Sequence, residues 1–223
     1  MDLLEAIGQR HSVRNYEDRP IEADVKEELE KYIEELNGES GLHMQLITDE
    51  PKAFNSLRVV LVAGYGTFKG LKSYIALVGK KDSDLQEKCG YYGEHLVLRA
   101  QQLGLRTCWV GGSYRKVPEA FDLEGGEELA AIIAIGYGTT DGKPHKSKPL
   151  EKLMKVEGEA PDWFYKGLEA AKLAPTAMNQ QKFVISWKDG KVSAEAGIGP
   201  FSKMDLGIVK YHFEVGAGRK IGW

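Results

Sequence analysis

The chain has 223 residues, 42% hydrophobic and 28% charged, which is enough apolar material for one large core or two small ones and excludes a disordered or fibrous chain. A formal charge of −3 leaves no basic footprint for neutralising phosphates, so no nucleic-acid partner is expected. No apolar run approaches the roughly 18–20 residues that span a bilayer, and the opening MDLLEAIGQRHS carries acids where a signal peptide carries its positive region; a cytoplasmic chain without a membrane partner is expected.

In chain order, Asp2 is placed to cap a short helix through Ile7, and a second helix runs from about Ile21 to Leu36 with Leu29, Ile33 and Leu36 at helical spacing. NGESGLH at 37–43 should break it. The runs MQLIT, VVLVAG and YIALVGK read as strands, and GYGTFKG at 64–70, which fits neither G-x-G-x-x-G nor the P-loop pattern, reads as a turn. From Asp84 to Leu103 the apolar positions Leu85, Tyr92, Leu96, Leu98, Ala100 and Leu103 predict a long, central helix that Gly104 stops. TCWVGG and ELAAIIAIGYG follow as short buried strands, the unbroken second run implying cover on both faces.

The polar stretch at about 139–160, rich in Gly, Pro and Lys, is the predicted linker. Past it come a helix of about Asp162 to Leu173, the loop APTAMNQQ, strands FVISW and VSAEA, and a helix from about Lys203 to Val215. About sixty residues are marginal for an independent core, so this tail should pack into the first part. Cys89 and Cys108 are too few for a disulfide framework and lie in no metal-ligand spacing; both read as reduced and structural, and no metal is expected.

Four segments carry chemical interest. Arg10, Ser12 and Arg14 alternate, so in an extended segment two guanidiniums and a hydroxyl face one way, a phosphate clamp in which the planar forks make paired bonds to anion oxygens. On three residues alone a solvated basic turn is the commoner outcome. Ala174–Gln181 combines a turn-fixing proline with uncharged hydroxyl and amide groups, and reads equally well as an ordinary polar loop. Gly111 and Gly112 end a strand where backbone could approach a flat ligand, although such a pair is more often only a turn. Lys146 and Lys148 face one direction and could complete a phosphate site, while a solvated pair is the commoner fate.

Taken together these segments resemble the nitroreductase family over nearly the whole chain. Its R-x-S-x-R/K motif corresponds to Arg10, Ser12 and Arg14, and its A-P-S-x-x-N-x-Q segment to Ala174-Pro175-Thr176-Ala177-Met178-Asn179-Gln180-Gln181, with Thr176 for the usual serine. The G-L-x-T-x-W-x-G-G stretch matches Gly104 to Gly112, and Gly136-Tyr137 and Lys148-Pro149-Leu150-Glu151 match the later strand and K-P-L-E tail. One departure stands out: the family carries its A-P-S segment soon after the second helix, where this chain reads YIEELNGESGLHMQ, and here the segment comes only near residue 175. Asp205-Leu206-Gly207-Ile208-Val209 also resembles the start of a nitroreductase central helix, which the chain already has near Gly93-Glu94-His95-Leu96.

Ordinary members of that family intertwine two identical subunits, so the resemblance implies an α+β nitroreductase-like fold, a mixed or antiparallel sheet flanked by helices, in which a single chain mimics the homodimer. A subfamily with this arrangement, the TM-type group, is a likeness the chain shares. Residues 1–223 would form one intertwined unit, with 1–150 the main pseudo-subunit and 160–223 a partial second, and the protein would be a monomer. The resemblance further implies FMN as cofactor, with NAD(P)H and a small flat acceptor, a nitroaromatic or quinone, as partners of an oxidoreductase. It assigns phosphate, ribityl and ring-edge contacts to Arg10, Ser12 and Arg14, further phosphate contacts to Lys146 and Lys148, the N5 neighbourhood to Gly111 and Gly112, and the covering of the flavin to Pro175, Thr176 and Asn179. It names no catalytic side chain; Tyr65, Phe68 and Trp109 are pocket walls or core aromatics. A non-catalytic flavin-binding or redox-sensing module, and a flavin-free interaction scaffold, are the competing classes.

Overall fold

Residues 1–53, 68–112 and 117–223 are described by the structure, a computed structural model. Among them run α1 (Leu3–Gln9), α2 (Ala23–Ser40), β1 (Gln45–Ile47), β2 (Ser73–Lys80), α3 (Leu85–Gln102), β3 (Arg106–Val110), β4 (Glu127–Gly136), β5 (Met154–Val156), α4 (Asp162–Ala171), β6 (Phe183–Lys188), β7 (Lys191–Ala196) and α5 (Ser202–Ala217), an α+β set. The chain divides into two units: Arg10–Leu85 with Leu96–Lys143, and Met1–Gln9 with Gln86–His95 and Pro144–Trp223. The predicted strand VVLVAG, Tyr65 and most of GYGTFKG lie outside the described residues.

The first unit is built on a four-stranded antiparallel sheet of order β1-β2-β4-β3. Its central strands are apolar at successive positions, so both faces must be covered: seven of the eight residues of β2 are buried, as are Leu129 and Ala131 to Ile135 of β4. On one face Tyr74, Ala76, Val78, Cys108, Val110, Ile132 and Ala134 join Val13, Tyr16 and Phe121 in a single apolar cluster. Each large side chain fully buried there contributes about 1.5–3 kcal/mol. Helix α2 buries Leu29, Ile33 and Leu36, the stripe its spacing predicts. It runs one turn past the predicted end, through 37–40, because nothing in Asn-Gly-Glu-Ser bars helical backbone; it ends at Gly41, whose φ of 70° is the left-handed conformation that favours glycine. Asn37 stays helical and uses its amide on the returning chain, donating to the Met44 carbonyl and accepting from the Met44 N–H, both at 2.9 Å.

In the second unit Asp2 caps α1 as its position predicts, its carboxylate accepting the Glu5 N–H at 2.8 Å. A three-stranded sheet of order β5-β6-β7 pairs β5 parallel and β7 antiparallel to β6. The β6–β7 hairpin turns on Asp189-Gly190, both at positive φ (49° and 75°), the backbone that a two-residue type I′ turn requires. Strand β5 arises inside the stretch read as linker; three residues among charges carry no readable alternation, and pairing with Ile185 to Trp187 is what makes them a strand. Helices α4 and α5 pack so closely that a Cβ on Gly167 would lie 2.7 Å from the Phe213 ring and one on Gly216 would lie 2.5 Å from the Ala170 Cβ. The first half of α3 meets α5 at a second glycine pair, Gly90 and Gly207, where backbones touch. Three polar residues of α5, Asp205, His212 and Glu214, are buried, and His212 Nε2 pairs with Glu94 Oε1 at 2.8 Å. No helix among the described residues is long and apolar enough to cross a membrane.

Candidate functional site

The predicted clamp lies in the first unit and owes its shape to β3. Ser12 bridges Thr107 in parallel, and the Val13 N–H donates to the Thr107 carbonyl at 3.0 Å, so 10–14 continues the sheet as an extended segment. Beyond it the chain is fixed twice: the Lys69 N–H donates to the Arg14 carbonyl at 2.9 Å, and the Tyr16 N–H to the Lys69 carbonyl at 2.8 Å. Buried Tyr16 turns its hydroxyl back onto the Val13 carbonyl at 2.8 Å. Extended backbone puts Arg10, Ser12 and Arg14 on one side with Val13 turned into the core.

Arg10 is buried, 6% exposed, while Ser12 and Arg14 are half-buried. All three act on one atom, the Cys108 thiol: burial pushes it up, while the Arg14 and Arg10 guanidiniums and a hydrogen bond with Ser12 pull it down. Cys108, which the sequence marks only as a lone structural cysteine, is thus close enough to the clamp to feel its charges. Burial and the Cys108 thiol likewise raise Tyr16 well above the usual phenol range against Arg14. Gly111 and Gly112 follow the end of the same strand. Among the described residues no atom would lie within 4 Å of a Cβ on Gly112. Gly111 lies four residues past Thr107, about 13 Å at extended spacing. Trp109 is half-buried, and Phe68 packs against the apolar cluster, as a core aromatic does.

The second predicted group lies in the other unit, and there the structure joins two segments far apart in sequence. Pro175 and Thr176 are half-buried and Asn179 is exposed in a loop that makes a 3-10 turn at Ala177–Asn179. Lys146 to Lys148 lies against it: the Asn179 amide donates to the Lys146 carbonyl at 3.0 Å, and the Lys148 N–H donates to Gln181 Oε1 at 2.7 Å. The Lys148 ammonium donates to the carbonyls of Gln180 and Gln181 at 2.8 and 2.9 Å, whereas Lys146 is exposed. Thr176 Oγ1 accepts the Gln181 N–H at 3.0 Å. Three non-glycine residues here, Met178, Asn179 and Gln181, hold positive φ (52°, 51° and 45°), a backbone disfavoured by about 1 kcal/mol each. Gln181 and Asp205 hold this conformation, a role the sequence motifs that contain them do not assign; buried amides and carboxylates reveal such roles only once their partners are placed.

The donor set of the clamp, two guanidiniums and a hydroxyl on an extended segment, suits a phosphate monoester, and the Gly112 backbone, which no described atom would crowd, suits a flat group; both fit a flavin mononucleotide. Among the described residues no group of three or more His, Cys, Asp or Glu could hold a metal ion.

A family model described as "Putative TM nitroreductase" matches residues 2–217. Among solved structures, the chain is similar to a putative nitroreductase from Thermotoga maritima, with 25% identity and a TM-score of 0.67 over 99% of this chain and 87% of that one. It also shares its fold with an FMN-dependent nitroreductase from Clostridium difficile (19% identity, TM-score 0.51, 63% of this chain and 90% of that one). The same holds for a putative nitroreductase in complex with FMN from Desulfovibrio desulfuricans (18% identity, TM-score 0.51, 72% and 99%). No curated protein matches the chain.

Proposed function

The chain belongs to the putative TM nitroreductase family, and from that premise we propose that it is a flavin oxidoreductase that binds FMN and passes hydride from NAD(P)H to a small flat acceptor such as a nitroaromatic or a quinone. The observation that carries the reading is the extended segment bearing Arg10, Ser12 and Arg14, held to β3 by the Ser12–Thr107 bridge and the Val13 N–H bond to the Thr107 carbonyl. FMN, when bound, supplies the hydride chemistry itself. What the chain supplies is binding and electrostatics.

Arg10 and Ser12 hold phosphate and ribityl oxygens, with Lys146, the exposed lysine of its pair, as the further phosphate partner. Arg14 is the cation for the ring edge that carries negative charge, and a backbone N–H at Gly111 or Gly112 is the donor toward N5. Pro175, Thr176 and Asn179 cover the flavin, with Lys148 holding their loop through the Gln180 and Gln181 carbonyls. No side chain is assigned as proton donor. The C-terminal segment takes the place of a second subunit, which makes the protein a monomer in sedimentation.

The purified protein should be yellow, hold FMN near one per chain, and bleach on anaerobic addition of NAD(P)H. Arg10→Ala and Thr176→Ala should each weaken FMN binding about 10- to 100-fold, the range for losing a hydrogen bond to a charged or buried group. A colourless protein that ignores added FMN ends the reading. Bleaching without steady-state NAD(P)H oxidation in the presence of a quinone would instead mark a flavin-binding module without turnover.

A further inference from the structure

The loop at 176–181 is held in an unfavourable backbone by a carboxylate that comes from elsewhere. Asp205, in the first turn of α5, is only 4% exposed. Its Oδ1 accepts the Ala177 N–H at 2.8 Å and its Oδ2 accepts the Gln180 side-chain amide at 2.7 Å. The same Gln180 amide donates to the Pro200 carbonyl at 2.8 Å, so the loop is tied to the residues just before α5 as well. These bonds flank the left-handed residues Met178 and Asn179. A short segment with several non-glycine residues at positive φ persists only where its surroundings over-determine it, and Asp205 bonds it on both sides of the strain.

We infer that Asp205 is the positioning residue of the flavin-covering loop: its carboxylate fixes the presentation of Thr176, Met178 and Asn179 and itself touches no ligand. This rests on the flavin reading above for what the loop covers, but not for the latch. A carboxylate is suited to the task because it accepts at two oxygens at once and has no donor of its own to misdirect the loop. Met178 is left 66% exposed by the arrangement, an apolar side chain held out on a fixed backbone.

The test uses the full chain as wild type, Asp205→Ala and Asp205→Asn, with two readouts. The first is residue-resolved amide hydrogen exchange without flavin. Asp205→Ala should speed exchange at Ala177 and Gln181 by about tenfold or more, while amides of β6 and β7 keep their protection. Asp205→Asn, which retains an oxygen for the Ala177 N–H, should recover most of it. The second is FMN affinity, read from flavin fluorescence, expected to fall on the order of tenfold in Asp205→Ala, with Asp205→Asn between it and wild type. Unchanged exchange at 176–181 in Asp205→Ala overturns the inference. So does a loss of protection spread equally over β6 and β7, which marks a general structural role. Faster loop exchange with unaltered FMN affinity overturns the link to the cofactor. A wild-type chain that binds no FMN refutes the flavin reading instead, and the exchange readout alone then decides the latch.

Discussion

A single methyl group placed at Gly207 should destabilise the protein, while the same change at Gly38 should stabilise it. Both glycines are helical, in α5 and α2, and in each case alanine brings a propensity gain of about 1 kcal/mol. Around Gly38 no described atom would lie within 4 Å of a Cβ, so the gain stands alone. At Gly207 the Cβ would lie 2.1 Å from the Glu87 carbonyl oxygen and 2.6 Å from the Tyr91 nitrogen, and both are backbone atoms that cannot rotate away. Contacts under 3.0 Å are essentially never seen for a real Cβ, so α3 and α5 must part there by at least 0.9 Å (3.0 − 2.1). Gaps of 0.5–1 Å forfeit about a quarter to a half of the dispersion energy of the atoms involved, and overpacking usually costs about 1–3 kcal/mol. Backbone against backbone belongs at the upper end. Net of propensity, Gly207→Ala should cost about 2 kcal/mol or more, lowering Tm by roughly 4–8 °C in a chain of this size, and Gly38→Ala should raise Tm by roughly 1–4 °C. Urea unfolding with unchanged m would confirm that only stability moved. A Gly207→Ala protein as stable as wild type would refute the close helix crossing.

Three further outcomes follow from particular side chains. His95 is lowered to about 3, first by burial and then by Lys220; its contribution is therefore whole above pH 6.5 and is lost as pH falls toward 3, so wild type should lose roughly 2–3 kcal/mol relative to His95→Gln between pH 7 and 4.5. Asp205 is shifted the other way: burial raises it against the Ala177 and Gln180 hydrogen bonds, so protonation favours the folded state, and wild type should gain relative to Asp205→Asn as pH falls from 7 toward 3.8. Matched urea titrations at several pH values check both signs. Tyr16→Phe strips the Val13 carbonyl of its buried donor and should cost about 1–2 kcal/mol and weaken FMN binding; full affinity in that variant would show that the clamp does not depend on Tyr16.

Much of the architecture was legible along the chain because it is encoded by period and punctuation. The Leu29–Ile33–Leu36 stripe fixed the buried face of α2, the unbroken run in 129–135 marked a strand covered on both sides, and FVISW and VSAEA read as the strands that became β6 and β7. The clamp was legible for the same local reason: alternation alone puts Arg10, Ser12 and Arg14 on one side once the segment is extended. Where α2 ends was misjudged, since Asn37 and Gly38 are tolerated in a helix whose stop is supplied one turn later by Gly41. Strand β5 was missed, since its only reason to be a strand is the register offered by β6.

Sequence by itself determined most of the elements, the family resemblance and the alternation of Arg10, Ser12 and Arg14, because each is written in residues a few positions apart. Only tertiary structure decided that Ser12 pairs with Thr107 of β3, that Lys148 bonds the carbonyls of Gln180 and Gln181 while Lys146 is exposed, and that Asp205 holds Ala177 and Gln180. Buried polar groups must find partners, and which partner each finds is settled by packing between segments 25 to 33 residues apart, information that no local pattern carries.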